Sequence, residues 1–300
     1  MRIAAFTMAY NEPVFLALWK AHYGQQLGLE NLFCIDHGSD DGSTENIGIS
    51  VLRLPRGKLD EDQRAAFVSR FHASLLTYYD VVIFTDCDEF LVPDPRLYAG
   101  LRDFVERKCV TVVTAVGVNV VHAPDQEAPI DLSRPFFSQR RFGRFHGSYC
   151  KTLISRMPIT WGPGFHGCNF VQNVDMGLYL FHLKYMDLSY FRNTHKSRNA
   201  IQLSAGAIKQ SHNHHWRQDS SVIEKGYFHP GTSGPDESDD AFSFYDDLKR
   251  CGYLSPKWLL KIDKNRRKPK FFNGPVRLIP ARFATAIPSL AMNPPELILD

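Results

Sequence analysis

Residues 80–94 read DVVIFTDCDEFLVPD. Four apolar residues, Val81 to Phe84, run into Asp86, Cys87, Asp88 and Glu89, after which the chain turns apolar again. Burying an unpaired carboxylate is costly, so three acids at the end of an apolar strand need a purpose. They could hold a metal ion, perform acid–base chemistry, or cap the next element, and the stretch alone leaves all three open.

The segments on either side narrow the choice. RIAAFTM, 2–8, reads as a strand buried on both faces, and YNEP ends it. VFLALWKAHYGQQLG, 14–28, places Phe15, Leu18, Trp19, His22, Tyr23 and Leu27 at helical spacing, with Gly28 as the stop. A short strand at 32–35 runs into the Asp/Gly/Ser loop DHGSDDGST, and ISVLRLP, 49–55, is a third strand. A helix over about 60–78, with acids in its first turn, leads to VVIFTD; another over 96–107 leads to the strand 110–121. This alternation predicts an α/β fold: a mixed, mostly parallel sheet flanked by helices, Rossmann-like, with a less regular C-terminal acceptor region. The expected division is an α/β half over 1–125, a second half of the same domain over 126–230, and an extension over 231–300 holding the polar segment GTSGPDESDD.

In such sheets, ligands sit beyond the carboxyl ends of the strands. Asn11 and Glu12 follow the first strand; Asp36, Ser39, Asp40 and Asp41 follow the second; Asp86, Asp88 and Glu89 follow the later one. Three polar clusters therefore converge on one sheet edge.

The bulk composition excludes more than it selects. With 44% apolar residues among 300, the chain can build a substantial core, and a net charge of +3 is too small to imply a nucleic-acid surface. The six cysteines contain no C-x-x-C pair, so free thiols are expected rather than a zinc ribbon or a disulfide framework. The apolar start is too short for a signal peptide, and no stretch reaches the roughly 18 apolar residues of a spanning helix. A soluble, cytoplasmic protein is expected. The basic run KNRRKPK, 264–270, allows a peripheral contact at the inner face of a membrane, although a solvated segment is the simpler reading.

Asp86 and Asp88, one residue apart at a turn, can reach one divalent ion; Mn²⁺ or Mg²⁺ takes oxygen ligands and accepts phosphate oxygens beside them. An ion there would neutralise a diphosphate leaving group. Transfer to a hydroxyl by single displacement also needs a general base, for which Glu89, His166 and Asp175 are candidates. His166 lies in WGPGFHG, where backbone can approach a ligand closely and Trp161 or Phe165 could stack on a ligand ring. His212, His214 and His215 lack the frame of a zinc site and read as a loop.

TMAYNEP (7–13), WKAHYGQQLGLENLFCIDHGSDDGST (19–44) and FTDCDEFLVP (84–93) resemble the GT-A glycosyltransferases, in particular their family 2 and family 92-like branch. Beyond residue 125 the likeness thins to GFHG, 164–167, and LFHLKY, 180–185. The resemblance implies a nucleotide-sugar donor, with a UDP-sugar foremost, and a hydroxyl acceptor. It implies donor binding by Ala9, Tyr10, Asn11, Glu12, Asp36, Ser39, Asp41, Asp86 and Lys184, and a metal held by Asp86, Asp88 and a late histidine, His182. His182 also fits a satisfied histidine on an apolar strand. Lys196 and Arg198 are secondary phosphate contacts or a solvated basic face. His37 stands where many family 2 members carry a second acid, so recognition of the base is expected to differ. The competing readings are a binding module without catalysis and a sugar-phosphate nucleotidyltransferase; AYNEP lacks the glycine-rich phosphate loop of the latter.

Overall fold

The computed structural model describes residues 1–108, 111–209, 218–228, 239–253 and 273–291. His212, His214 and His215, the run KNRRKPK and residues 231–238 of the polar segment lie outside the described residues.

The first strand, β1 (Ile3–Ala9), is buried along its whole length. Parallel neighbours flank it: β2 (Leu32–Asp36) on one side and β4 (Val81–Phe84) on the other, with β3 (Ser50–Arg53) completing that edge beside β2. Helix α1 (Pro13–Leu27) connects β1 to β2, and α2 (Glu61–Leu75) connects β3 to β4. Asp60 caps α2 by accepting from the amides of Asp62 and Gln63. The predicted strand–helix alternation is present, so the carboxyl ends of β1, β2 and β4 share one edge.

The quoted stretch is two strands. After β4 the chain turns through residues 85–88 and resumes as β5 (Glu89–Pro93). Helix α3 (Leu101–Arg107) starts later than its expected position 96. Asp94 first closes a turn by accepting from the backbone of Arg96 and Leu97.

The rest of the sheet is mainly antiparallel. Strands β6 (Val112–Val121), β7 (Phe142–His146) and β8 (Thr152–Ser155) extend it past β4 in the order β7–β6–β8–β4, with β10 (Asn273–Leu278) outside β7. The long β9 (Val174–Tyr185) lies parallel to β6 and antiparallel to β5. The result is the mixed α/β sheet expected from the sequence, flanked by helices. After β9, α4 (Leu188–Asn199), α5 (Ala205–Lys209), α6 (Ser220–Tyr227) and α7 (Tyr245–Cys251) follow. No helix among the described residues is long and apolar enough to cross a membrane. Cys34, Cys87, Cys150 and Cys168 are free thiols.

One contiguous core joins α1, β1, β4, β5, β6 and β9. Its polar members are paired: Trp19 donates its indole N–H to the Thr85 hydroxyl at 2.8 Å, and the Tyr23 hydroxyl accepts from the amide of Leu91 at 3.0 Å. His22 and His72 are 1% and 0% exposed, and burial pushes both imidazoles down to about 4 from 6.5. A depressed histidine pKa means the unfolded chain takes up the proton first as pH falls. This stability is therefore complete above pH 6.5 and is lost on acidification towards pH 4, each histidine removing about 1.4 kcal/mol per pH unit. Urea midpoints measured from pH 7 to pH 5 should fall accordingly, and His72→Phe should flatten the slope; an unchanged slope in that variant would overturn the assignment.

Candidate active site

The carboxyl ends of β1, β2 and β4 open into a cavity of about 1160 Å³. Its walls carry six carboxylates (Glu12, Asp41, Glu61, Asp86, Asp88, Glu89) and six cationic side chains (Arg56, Lys58, Arg64, Lys151, Lys184, Arg198). With charge so concentrated, the pairing decides what each group can do.

Asp86 is fully paired. Arg64 of α2 donates to one carboxylate oxygen and Lys151, just before β8, donates to the other at 3.1 Å. Burial opposes its ionisation, but the two cations hold the carboxyl below its usual range. Lys151 is 2% exposed and also donates to Oε1 of Glu89. The second oxygen of Glu89 is buried without a partner, and burial pushes this carboxyl upward. Asp86, expected as a metal ligand, lines the cavity with both oxygens already accepting from cations.

Asp88 differs. The β5–β9 ladder sets Glu89 directly opposite His182, and the Leu183 amide donates to the Asp88 carbonyl at 2.8 Å. His182 Nδ1 lies 2.7 Å from the amide oxygen of Asn119, which orients the ring, and its Nε2 lies 3.5 Å from Oδ2 of Asp88. Burial pushes His182 down, against the pull of Asp88. One donor atom each from Asp88, Glu89 and His182 lies within 4.8 Å of the others. An oxygen–nitrogen set of this kind, with its histidine oriented from behind, fits a divalent metal.

Two cations stand beside this group. Arg198 of α4 donates to Glu12 at 2.9 Å and approaches Asp88 at 3.8 Å. Burial opposes ionisation of Asp88, yet His182, Arg198 and Lys184 hold it well below the usual range. Lys184 is 7% exposed and has no hydrogen-bond or ion-pair partner among the described residues; burial, then Arg198, push it down to about 7.

Across the cavity, Asn11 adopts φ +50 and ties the β1 loop to the β2 loop. Its side chain donates to Asp40 at 2.7 Å and accepts from the Asp40 amide at 3.0 Å. Arg56 lies 3.5 Å over the ring of Tyr10 and 3.2 Å from His37 Nδ1. Ala9, Tyr10, Asn11, Glu12 and Asp41 all line this wall.

Several expected residues serve elsewhere. Asp36 is wholly buried beneath the loop it was expected to present: it accepts from the Ser39 amide, the Thr44 hydroxyl and Arg53. Ser39 accepts from the Asn11 amide. Neither lines the cavity; both shape the wall that does. Asp175 pairs with Lys108 at 2.7 Å near the start of β9. Seven residues along an extended strand separate it from His182, roughly 20 Å, so it cannot serve as the base. Trp161 and Phe165 are 2% and 0% exposed, too deep to stack on a sugar. Lys196 lies outside the cavity, whereas Arg198 lines it.

The sequence reading missed Arg64, Lys151 and Tyr149. Lys151 left one signal, a charge at the head of the apolar run TLIS. Tyr149 is set by close packing: a Cβ on Gly117 of β6 would stand 2.4 Å from the Tyr149 carbonyl carbon. The Tyr149 ring stacks on His182, centroids 4.0 Å apart. Because Lys151 pairs with the buried Glu89 and the partly buried Asp86, Lys151→Met should cost about 3–5 kcal/mol, read by chemical denaturation. A loss below about 1 kcal/mol, the range of exposed pairs, would refute that role.

No protein-family model and no curated protein matches the chain. Among solved structures it is similar to glucosyl-3-phosphoglycerate synthase from Mycobacterium tuberculosis. The complex with Mn²⁺, UDP-glucose and phosphoglyceric acid is 19% identical with a TM-score of 0.26. The complex with Mg²⁺ and UDP is 20% identical with a TM-score of 0.27. Each match covers 38% of this chain and 43% of the other. A mycobacterial protein is 19% identical over 39% of this chain and 41% of its own, with a TM-score of 0.27. The chain thus spans less than half the length of the structures it matches, and a likeness this partial carries no function across.

Proposed function

We propose that this chain is a metal-dependent glycosyltransferase of the GT-A type, moving a sugar from a nucleoside diphosphate-sugar to a hydroxyl acceptor. The observation that carries the reading is the Asp88–Glu89–His182 group in a large cavity at the carboxyl ends of the parallel strands β1, β2 and β4. That combination suits a divalent ion beside a nucleotide.

Asp88 and His182 would hold Mn²⁺ or Mg²⁺, with Glu89 beside them. The ion supplies positive charge to the departing diphosphate. Lys184 is the chain's own contribution to the same task, because among the described residues its ammonium makes no hydrogen bond or ion pair and can meet phosphate oxygens. Arg198 can join it by exchanging its contact with Glu12 for one to phosphate. Tyr10, Asn11, His37 and Arg56 frame the wall for the nucleoside, with a stackable ring and a guanidinium, and Asp41 lies beside them. Asp36 and Ser39 act through the loop they brace.

UDP release from UDP-glucose, followed with and without Mn²⁺, tests the reading. Release should require the ion, and Asp88→Asn should weaken Mn²⁺ binding at least about tenfold and lower turnover in step. Asp175→Asn, remote from the cavity, should leave both unchanged. Turnover independent of metal, or undiminished in Asp88→Asn, would refute the proposal.

A further inference from the structure

We infer that His166 is the general base of the transfer and that the reaction is a single displacement inverting the anomeric carbon. This rests on the glycosyltransferase reading and settles which group takes the acceptor's proton. Of the three candidates that the sequence offers, Asp175 is ion-paired at the far end of β9. Glu89 has one oxygen on Lys151 and the other buried without a hydrogen-bond partner among the described residues. Of these three, His166 is the one that brings a ring nitrogen neither buried nor paired among the described residues to the cavity.

Three features orient it. Its Nδ1 lies 2.7 Å from the carbonyl oxygen of Ser148, which only accepts, so the ring proton sits on Nδ1 and Nε2 carries the lone pair. Among the described residues Nε2 has no hydrogen-bond partner, and it is not a buried atom; the residue lines the cavity. Gly164, at φ +67, leaves that nitrogen open: a Cβ there would stand 2.9 Å from Nε2. Only glycine combines this backbone angle with the missing side chain at no cost.

The position is right for the step. Tyr149 stands between the metal group and the base, its ring 4.0 Å from His182 and 6.1 Å from His166 by centroids. A sugar held against Tyr149, with its diphosphate towards Asp88, offers its anomeric carbon to a hydroxyl arriving from the His166 side. His166 Nε2 takes the hydroxyl proton as the oxygen forms its bond to the anomeric carbon. The bond from that carbon to the phosphate oxygen breaks, and its electron pair leaves on the nucleoside diphosphate. Attack from the face opposite the leaving group inverts the configuration.

The test uses UDP-glucose with Mn²⁺ and either water or sodium azide as acceptor, because azide is a nucleophile with no proton to lose. Hydrolysis should fall about 100-fold or more in His166→Ala and in His166→Gln, with UDP-glucose affinity held within about threefold. Azide should restore turnover in both variants and yield glucosyl azide of inverted configuration by NMR. The glutamine variant keeps the side-chain volume, and a melting curve for each confirms that it is folded. Wild-type hydrolysis rates in the folded variants, or a failure of azide to restore turnover while the donor still binds, or a product of retained configuration, would overturn the inference and leave the transferase reading standing. A wild-type enzyme that neither binds nor turns over UDP-glucose with Mn²⁺ would overturn the nucleotide-sugar reading first and this inference with it.

Discussion

Side-chain hydrogen bonds from the first helix fix where the acids of residues 86–89 can stand. Trp19 reaches Thr85, His22 reaches the Leu91 carbonyl, and Tyr23 bridges the Glu89 carbonyl and the Leu91 amide. These three side chains lie on one face of α1 and clamp both sides of the turn between β4 and β5. On the far side, the ladder to β9 does the same through Leu183. Carboxylates on a loose turn would relax into water, whereas here the backbone is held and the side chains must find partners where they are. The position of the turn is thus set by apolar packing and aromatic donors, and the charged residues accommodate to it.

Accommodation takes the form of unequal pairing. Removing an ion pair from water is repaid only when the partners meet in good geometry. Arg64 and Lys151 satisfy this for Asp86, and Lys151 half satisfies it for Glu89. Asp88 is left with a histidine 3.5 Å away and a guanidinium 3.8 Å away, a poorer match. Lys184 is left with no hydrogen-bond or ion-pair partner among the described residues, only the Tyr185 ring 5.5 Å away. An incompletely matched carboxylate and an unmatched ammonium in the same cavity are what a metal–diphosphate ligand would complete, because it carries both signs. The imbalance is local, and it coincides with the point where the two halves of the sheet meet.

Legibility in the sequence followed the range of the interactions. The strands β1, β2 and β4 were readable as apolar runs, and the convergence of the three polar clusters followed from alternation alone. Within the site, Asp88, His182, Lys184 and His166 were legible as chemistry at a strand end or a glycine turn. The β5–β9 register was not, since pairing Glu89 with His182 depends on a fold contact between distant segments. Lys151 and Tyr149 depend on Gly117, which lets the 147–151 turn press against β6, a matter of one missing methyl. Asp36 looked like a ligand because loop acids after strands usually face outward. The left-handed Gly38 and the return of Arg53 fold its loop inward, so the carboxylate becomes the loop's internal anchor.

The same reasoning separates the two aspartates that a D-x-D pattern treats as equivalent. Asp86 and Asp88 are two residues apart, yet Asp86 faces α2 and β8 while Asp88 faces β9 and α4. The buried Cys87 between them holds the chain against the core and divides the two directions. One carboxylate is therefore committed to the scaffold, binding the two halves of the sheet through Arg64 and Lys151, and the other remains available to a ligand. Without the first, the second would have no fixed position; without the second, the cavity would hold no incompletely matched acid to attract an ion. The turn serves structure and chemistry with adjacent residues because its backbone is clamped from both sides.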